Sequence, residues 1–299
     1  MLGTPTAKGL VAPSDERLLM TETRVLIDGL RFPEGPRWHE DRFWFSDMHS
    51  GVVLAVSMDG RAETIVEVEA EPSGLGWLPD GRLLVVSMQD RRLLRLDPEG
   101  LTEVADLSPH ASFHCNDMVV DVHGRAYVGN FGFDLHAGDS PTTANLILVH
   151  PDGRSEVAAK DLGFPNGTVI TPDGKTLIVG ESFGGCLTAF DVAEDGSLHG
   201  RRVWAQLEGS VPDGICLDEE GAIWVASPMG KGGVLRVREG GEVTDRIAVE
   251  HEAFACMLGG PDRRTLFICT APDSHPDKTG DCGGRIEMAS VEVPGAGLP

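Results

Sequence analysis

One short pattern recurs six times along the chain and constrains its fold more than any other feature. A turn rich in Asp and Gly is followed by four or five strand-forming residues. The copies are WHEDRFWFSD from Trp38, LPDGRLLVVS from Leu78, DVHGRAYVGN from Asp121, TPDGKTLIVG from Thr171, DEEGAIWVAS from Asp218 and GPDRRTLFIC from Gly260, spaced by 40 to 50 residues. A unit of this length with several strands cannot bury its apolar face alone, so neighbours must stack. The pattern predicts an all-β chain: a six-bladed β-propeller with four antiparallel strands per blade. In the first blade, GVVLAVSMDG and AETIVEV supply the third and fourth strands. ETRVLIDG near the N-terminus and GRIEMASVEV near the C-terminus also read as strands. Placed in one blade, they close the ring and remove the exposed edges of an open sheet. Residues 1–21 show no period and read as an N-terminal tail, leaving 22–299 as a single propeller domain.

The repeat also supplies a register. On the strand before each turn, six positions align: Glu34 in FPEGPRW, Ser73 in EPSGLGW, Asn116 in HCNDMVV, Asn166 in FPNGTVI, Asp213 in VPDGICL and Cys256 in FACMLGG. The innermost strands of a propeller meet around one central channel. Glu34, Asn116, Asn166 and Asp213 therefore bring four oxygen-bearing side chains to one point, which is what a hard cation requires. As a neutral donor, Asn116 either ligates directly or holds a water or substrate oxygen. Ser73 and Cys256 read as small residues lining the channel. His114, two residues before Asn116, is placed on the same strand face at the channel mouth. Two long polar segments, 130–145 and 271–284, interrupt the third and sixth blades and read as binding walls or surface insertions.

Several function classes are set aside by composition. A net charge of −22 with no Lys/Arg cluster argues against nucleic-acid partners. No run approaches the ~18 apolar residues of a membrane span, and the first 20 residues lack a secretory apolar core. The six cysteines form no CxxC or zinc-finger spacing, which fits reduced thiols in a cytoplasmic protein. No HExxH, GxSxG, Walker or GxGxxG motif is present.

With the register in hand, FPEGPRW, the Asn-Asp of HCND, FPNGTVITPDGKTLIV and VPDGICLDEEGAIWVAS resemble the motifs of the gluconolactonase/regucalcin (senescence marker protein) family, from about residue 24 to 293. The resemblance implies one divalent cation in the channel, held by Glu34, Asn166 and Asp213. Asn116 would contact substrate or metal-bound water, and Asp213 would also serve as general base. The implied activity is metal-dependent hydrolysis of a lactone, mostly a sugar lactone such as gluconolactone. In animal-type sugar lactonases an Arg stands two residues before the channel Asn, where this chain has His114. Asp134 is the nearest match to an acidic loop residue that contacts sugars. With Phe113, Phe131, Phe133 and Phe183 expected at the mouth, a less polar lactone or ester also fits. Alternatives are a metal-dependent esterase or phosphotriesterase-like hydrolase, or a propeller that binds a divalent cation without turnover. Mixed oxygen ligands suit Ca²⁺, Mg²⁺ or Mn²⁺, and Zn²⁺ or Fe²⁺ also occupy such sites. The expected partner is a small-molecule substrate, and the expected assembly a monomer or weak homo-oligomer.

Overall fold

The computed structural model describes residues 22–230, 232–279 and 282–297; the expected tail over 1–21 lies outside them. Six sheets of four antiparallel strands form a closed ring, a six-bladed β-propeller. The inner strands of blades one to five are Pro33–His39, Pro72–Trp77, Cys115–Val120, Pro165–Ile170 and Ile215–Leu217. Blade six starts with Glu252–Gly259, continues through Thr265–Ala271 and Gly284–Ser290, and takes the N-terminal strand Arg24–Leu30 as its outer edge. Arg24 pairs with Met288 and Leu30 with Gly284, so both ends of the chain close one blade, as expected. Each inner strand contacts those of the two adjacent blades, which makes blades three and six diametrically opposite.

The second strand of each blade is packed on both faces, so it reads as a continuous apolar run rather than an alternation. Leu83–Ser87 and Ile223–Ser227 are buried at every position. The core is accordingly a set of apolar layers between blades. Leu84, Val86, Met118 and Val128 join blades two and three. Val169, Ile178, Ile215 and Val225 join blades four and five. All six cysteines are free, and five of them are buried in these layers or beside them. Among the described residues, no helix is long and apolar enough to cross a membrane.

The short motifs have a steric origin. A Cβ on Gly35 would stand 2.5 Å from the Ser73 carbonyl oxygen, and one on Gly167 would stand 2.5 Å from that of Asp213. Gly after the channel residue therefore lets neighbouring inner strands touch. Pairing also slips beside the channel residues, between Glu34 and Arg37, Cys115 and Met118, and Pro165 and Thr168. Such bulges re-aim side chains, here at the start of the inner strands of blades one, three and four.

Blade six corrects the register. Ala253 pairs with Thr270 as Pro33 pairs with Asp47 and Pro165 with Glu181. The residue matching Glu34 and Asn166 is therefore Phe254, not Cys256. Cys256 turns into the core, with its sulfur 3.9 Å from that of Cys216, so the expectation that it lines the channel fails.

Candidate active site

A cavity of about 550 Å³ opens at the channel mouth, and its lining includes Glu34, Asn116, Asn166 and Asp213 together with His114 and Asp134. Every candidate site residue read from the sequence thus faces one space. Glu34, Asn116 and Asn166 are buried, and Asp213 is partly accessible. Ser73 lies beneath, its hydroxyl donating to Asn116 Oδ1 at 3.3 Å.

Electrostatics distinguish Glu34 and Asp213. Burial pushes Glu34 up to about 8, and the nearby Asp117 carboxylate adds to this, while the Gly35 amide on Oε2 (2.9 Å) opposes it. Burial likewise raises Asp213 well above the usual carboxylate range, followed by the Glu34 charge, and the Asn166 amide pulls the other way. Two acids share the channel floor, and the charge of Glu34 raises the proton affinity of Asp213. The Arg37 guanidinium reaches Glu34 electrostatically but is already committed. It pairs with Asp117 at 2.9 Å and donates to the Met118 and Pro36 carbonyls.

From the sequence either Asn116 or Asp117 could point inward; the Arg37 partner of Asp117, and Ser182, were not anticipated. Ser182 Oγ accepts from Asn166 Nδ2 at 3.2 Å and donates to the Pro212 carbonyl at 2.7 Å, which fixes the amide plane. Asp117 occupies the position that is Gly in four other blades, and that departure was the available signal.

Above the polar floor the wall is apolar. Phe32, Met48, Met88, Phe131, Phe164 and Phe254 are buried in one cluster that faces the cavity. Of the four phenylalanines expected at the mouth, Phe131 and Phe183 line it. Phe133 stands behind, edge-on to Phe183 at 5.2 Å, and Phe113 stacks on His114 at 4.0 Å. Phe164 holds φ at +61°, a conformation rare for a bulky residue, and this turns its ring onto Phe131 at 4.5 Å. Burial lowers the proton affinity of His114, while Asp134 raises it.

The two long interruptions meet over the channel. Residues 131–143 of blade three and 272–279 of blade six come from opposite sides of the ring, and the His136 and His275 rings touch edge to face at 4.9 Å. His49 of blade one ties this roof down through Nε2 to the Ser274 carbonyl at 3.1 Å. Both segments line the cavity and are more than surface insertions.

Comparison with known proteins agrees with this geometry. The SMP-30/Gluconolactonase/LRE-like region family matches residues 32–272. The chain is 26% identical to the pentonolactonase XacC of Haloferax volcanii over 291 residues, covering 92% of this chain and 96% of the relative. It is 29% identical to the 6-deoxy-6-sulfogluconolactonase of Pseudomonas putida over 279 residues, covering 89% and 93%. A solved gluconolactonase structure from Xanthomonas campestris superposes with a TM-score of 0.74 at 26% identity, covering 95% of this chain and 91% of that one. A six-bladed ring, a polar channel floor and a family match over most of the chain make this protein a member of the SMP-30/gluconolactonase/LRE-like family.

Proposed function

We propose that the protein hydrolyses a lactone with the help of one divalent cation held by Glu34, Asn166 and Asp213. One observation carries this reading: the buried Glu34 and the partly accessible Asp213 share the channel floor, their proton affinities are raised, and the nearby guanidinium is committed elsewhere. Such an arrangement is costly for the empty protein and is relieved by a bound cation. The donor set fits a hard ion: Ser182 engages the Asn166 nitrogen, so the amide oxygen would join the Glu34 and Asp213 carboxylates as a ligand. Among the described residues, no three His, Cys, Asp or Glu side chains are grouped to hold a metal, so an amide is needed to complete the set. That the relatives compared above are lactonases supports the choice of reaction.

A bound cation would supply Lewis-acid polarisation of the lactone carbonyl and a lowered pKa for water. Asp213 takes a proton from the attacking water and returns it to the ring oxygen as the acyl C–O bond breaks. Its raised proton affinity offsets the acidifying effect that a cation has on its own ligands. Asn116, supported by Ser73, and the half-buried His114 orient the ring at the floor.

The test is turnover by Asp213→Ala alongside the native protein. The expected loss in kcat is at least about a thousandfold with the fold intact by circular dichroism, in line with loss of both a base and a ligand. Full turnover by the variant would end this reading.

A further inference from the structure

We propose that the substrate is a neutral lactone carrying an apolar arm, bound with its ring on the polar floor and its arm along the phenylalanine wall. This rests on the lactone reading above and narrows it. The cavity is layered. At its floor stand Glu34, Asn116, Asn166 and Asp213. Its middle is Phe32, Met48, Met88, Phe131, Phe164 and Phe254, all buried. The apolar track continues to the rim, where Phe183 is 49% exposed and Met229 is 61% exposed. Both line the cavity and are among the few large apolar side chains that the described residues show to solvent.

A ring anchored at the floor sends its substituents into the middle layer. A sugar hydroxyl there would leave water for a phenyl face or a thioether, with a loss of roughly tenfold or more in binding for each one unpaired. An alkyl or aryl arm gains from the same surface. The roof made by 131–143 and 272–279 covers this layer and shields the arm from water.

Charge at the rim selects for neutrality. Glu71, Asp134, Glu252 and Asp273 face the cavity beside four histidines, and the lysine among its lining residues, Lys278, lies 3.6 Å from Asp273. A neutral lactone enters this field without penalty. Hydrolysis adds water across the acyl C–O bond and yields a hydroxy acid that ionises, so the same field favours its departure.

The experiment compares three lactones of one ring size on cation-loaded protein: δ-valerolactone, the same ring with a hexyl arm, and glucono-δ-lactone. Binding of the matching unreactive lactams, with and without the arm, is measured by calorimetry. The expected result is a kcat/KM for the hexyl lactone at least about 30-fold above δ-valerolactone, with gluconolactone below both. Phe183→Ser should cost the hexyl lactone about tenfold more than it costs δ-valerolactone. Gluconolactone at or above the hexyl lactone would overturn the inference and leave the lactonase reading standing. If no lactone turns over, the lactams decide: tighter binding of the armed lactam upholds the ligand class while the lactone reading falls, and equal binding overturns both.

Discussion

Glu34→Gln separates the cost of the channel floor from its use. In the folded, cation-free protein the Glu34 carboxyl titrates at about 8, against an ordinary value of 4.5. The folded state therefore holds a proton that the unfolded chain releases above pH ~4.5, and stability falls as pH rises from there towards 8. At pH 7 the unfolded chain has ionised Glu34 by about 2.5 pH units, and the folded protein remains almost wholly protonated there. At 1.36 kcal/mol per unit, this side chain lowers stability by on the order of 3 kcal/mol. Gln keeps the shape and removes the titration. Cation-free Glu34→Gln should therefore be more stable than the native protein at pH 7 by a few kcal/mol, an upshift in Tm on the order of 5 °C or more. The gap should close near pH 4.5. Saturating divalent cation should raise the Tm of the native protein and leave the variant nearly unmoved. Calorimetric melts at pH 4.5, 6, 7 and 8, with and without cation, supply all the comparisons. A variant less stable than the native protein at pH 7, or one stabilised equally by cation, would refute the reasoning.

Three further outcomes follow from the same geometry. Cation affinity should rise with pH between about 6 and 8, up to tenfold per unit for each proton displaced from Glu34, with proton release seen by calorimetry in buffers of different ionisation enthalpy. Ser182→Ala frees the Asn166 amide and should weaken cation binding about 10- to 100-fold by titration while leaving the melt nearly unchanged. Gly35→Ala places a Cβ 2.5 Å from the Ser73 carbonyl at a φ of +57°, and should destabilise the protein by about 2 kcal/mol or more and reduce turnover, measured by denaturant melts and initial rates.

The ring was legible because each blade repeats a local device, an Asp/Gly turn followed by a run buried on both faces. The channel register was legible where the residue before a close-packing Gly is polar: Glu34-Gly35, Ser73-Gly74, Asn166-Gly167 and Asp213-Gly214. It failed in blade six, where the same place is Phe254-Ala255 and no glycine marks it. Ala255 lies against Gly214, so one of the two neighbours still lacks a side chain, and the strands approach without the usual signature. The rest of the site was hidden because it is assembled across blades. Phe32, Met88, Phe131, Phe164 and Phe254 come from five different blades; Phe32 and Phe164 each stand two residues before the channel residue and Met88 and Phe131 each follow the second strand, but no one residue type recurs at these positions around the ring. The hydroxyl that holds Asn166 comes after the end of the next strand of its blade, and the guanidinium that balances Asp117 comes from another blade altogether.

The most direct test of the central claim is proton release from a lactone by protein stripped of metal and then given single divalent ions. The account predicts negligible release from the stripped protein and restored turnover with at least one of Ca²⁺, Mg²⁺, Mn²⁺ or Zn²⁺, with restoration abolished in Asp213→Ala. Turnover by the stripped protein equal to that of the loaded one would contradict it.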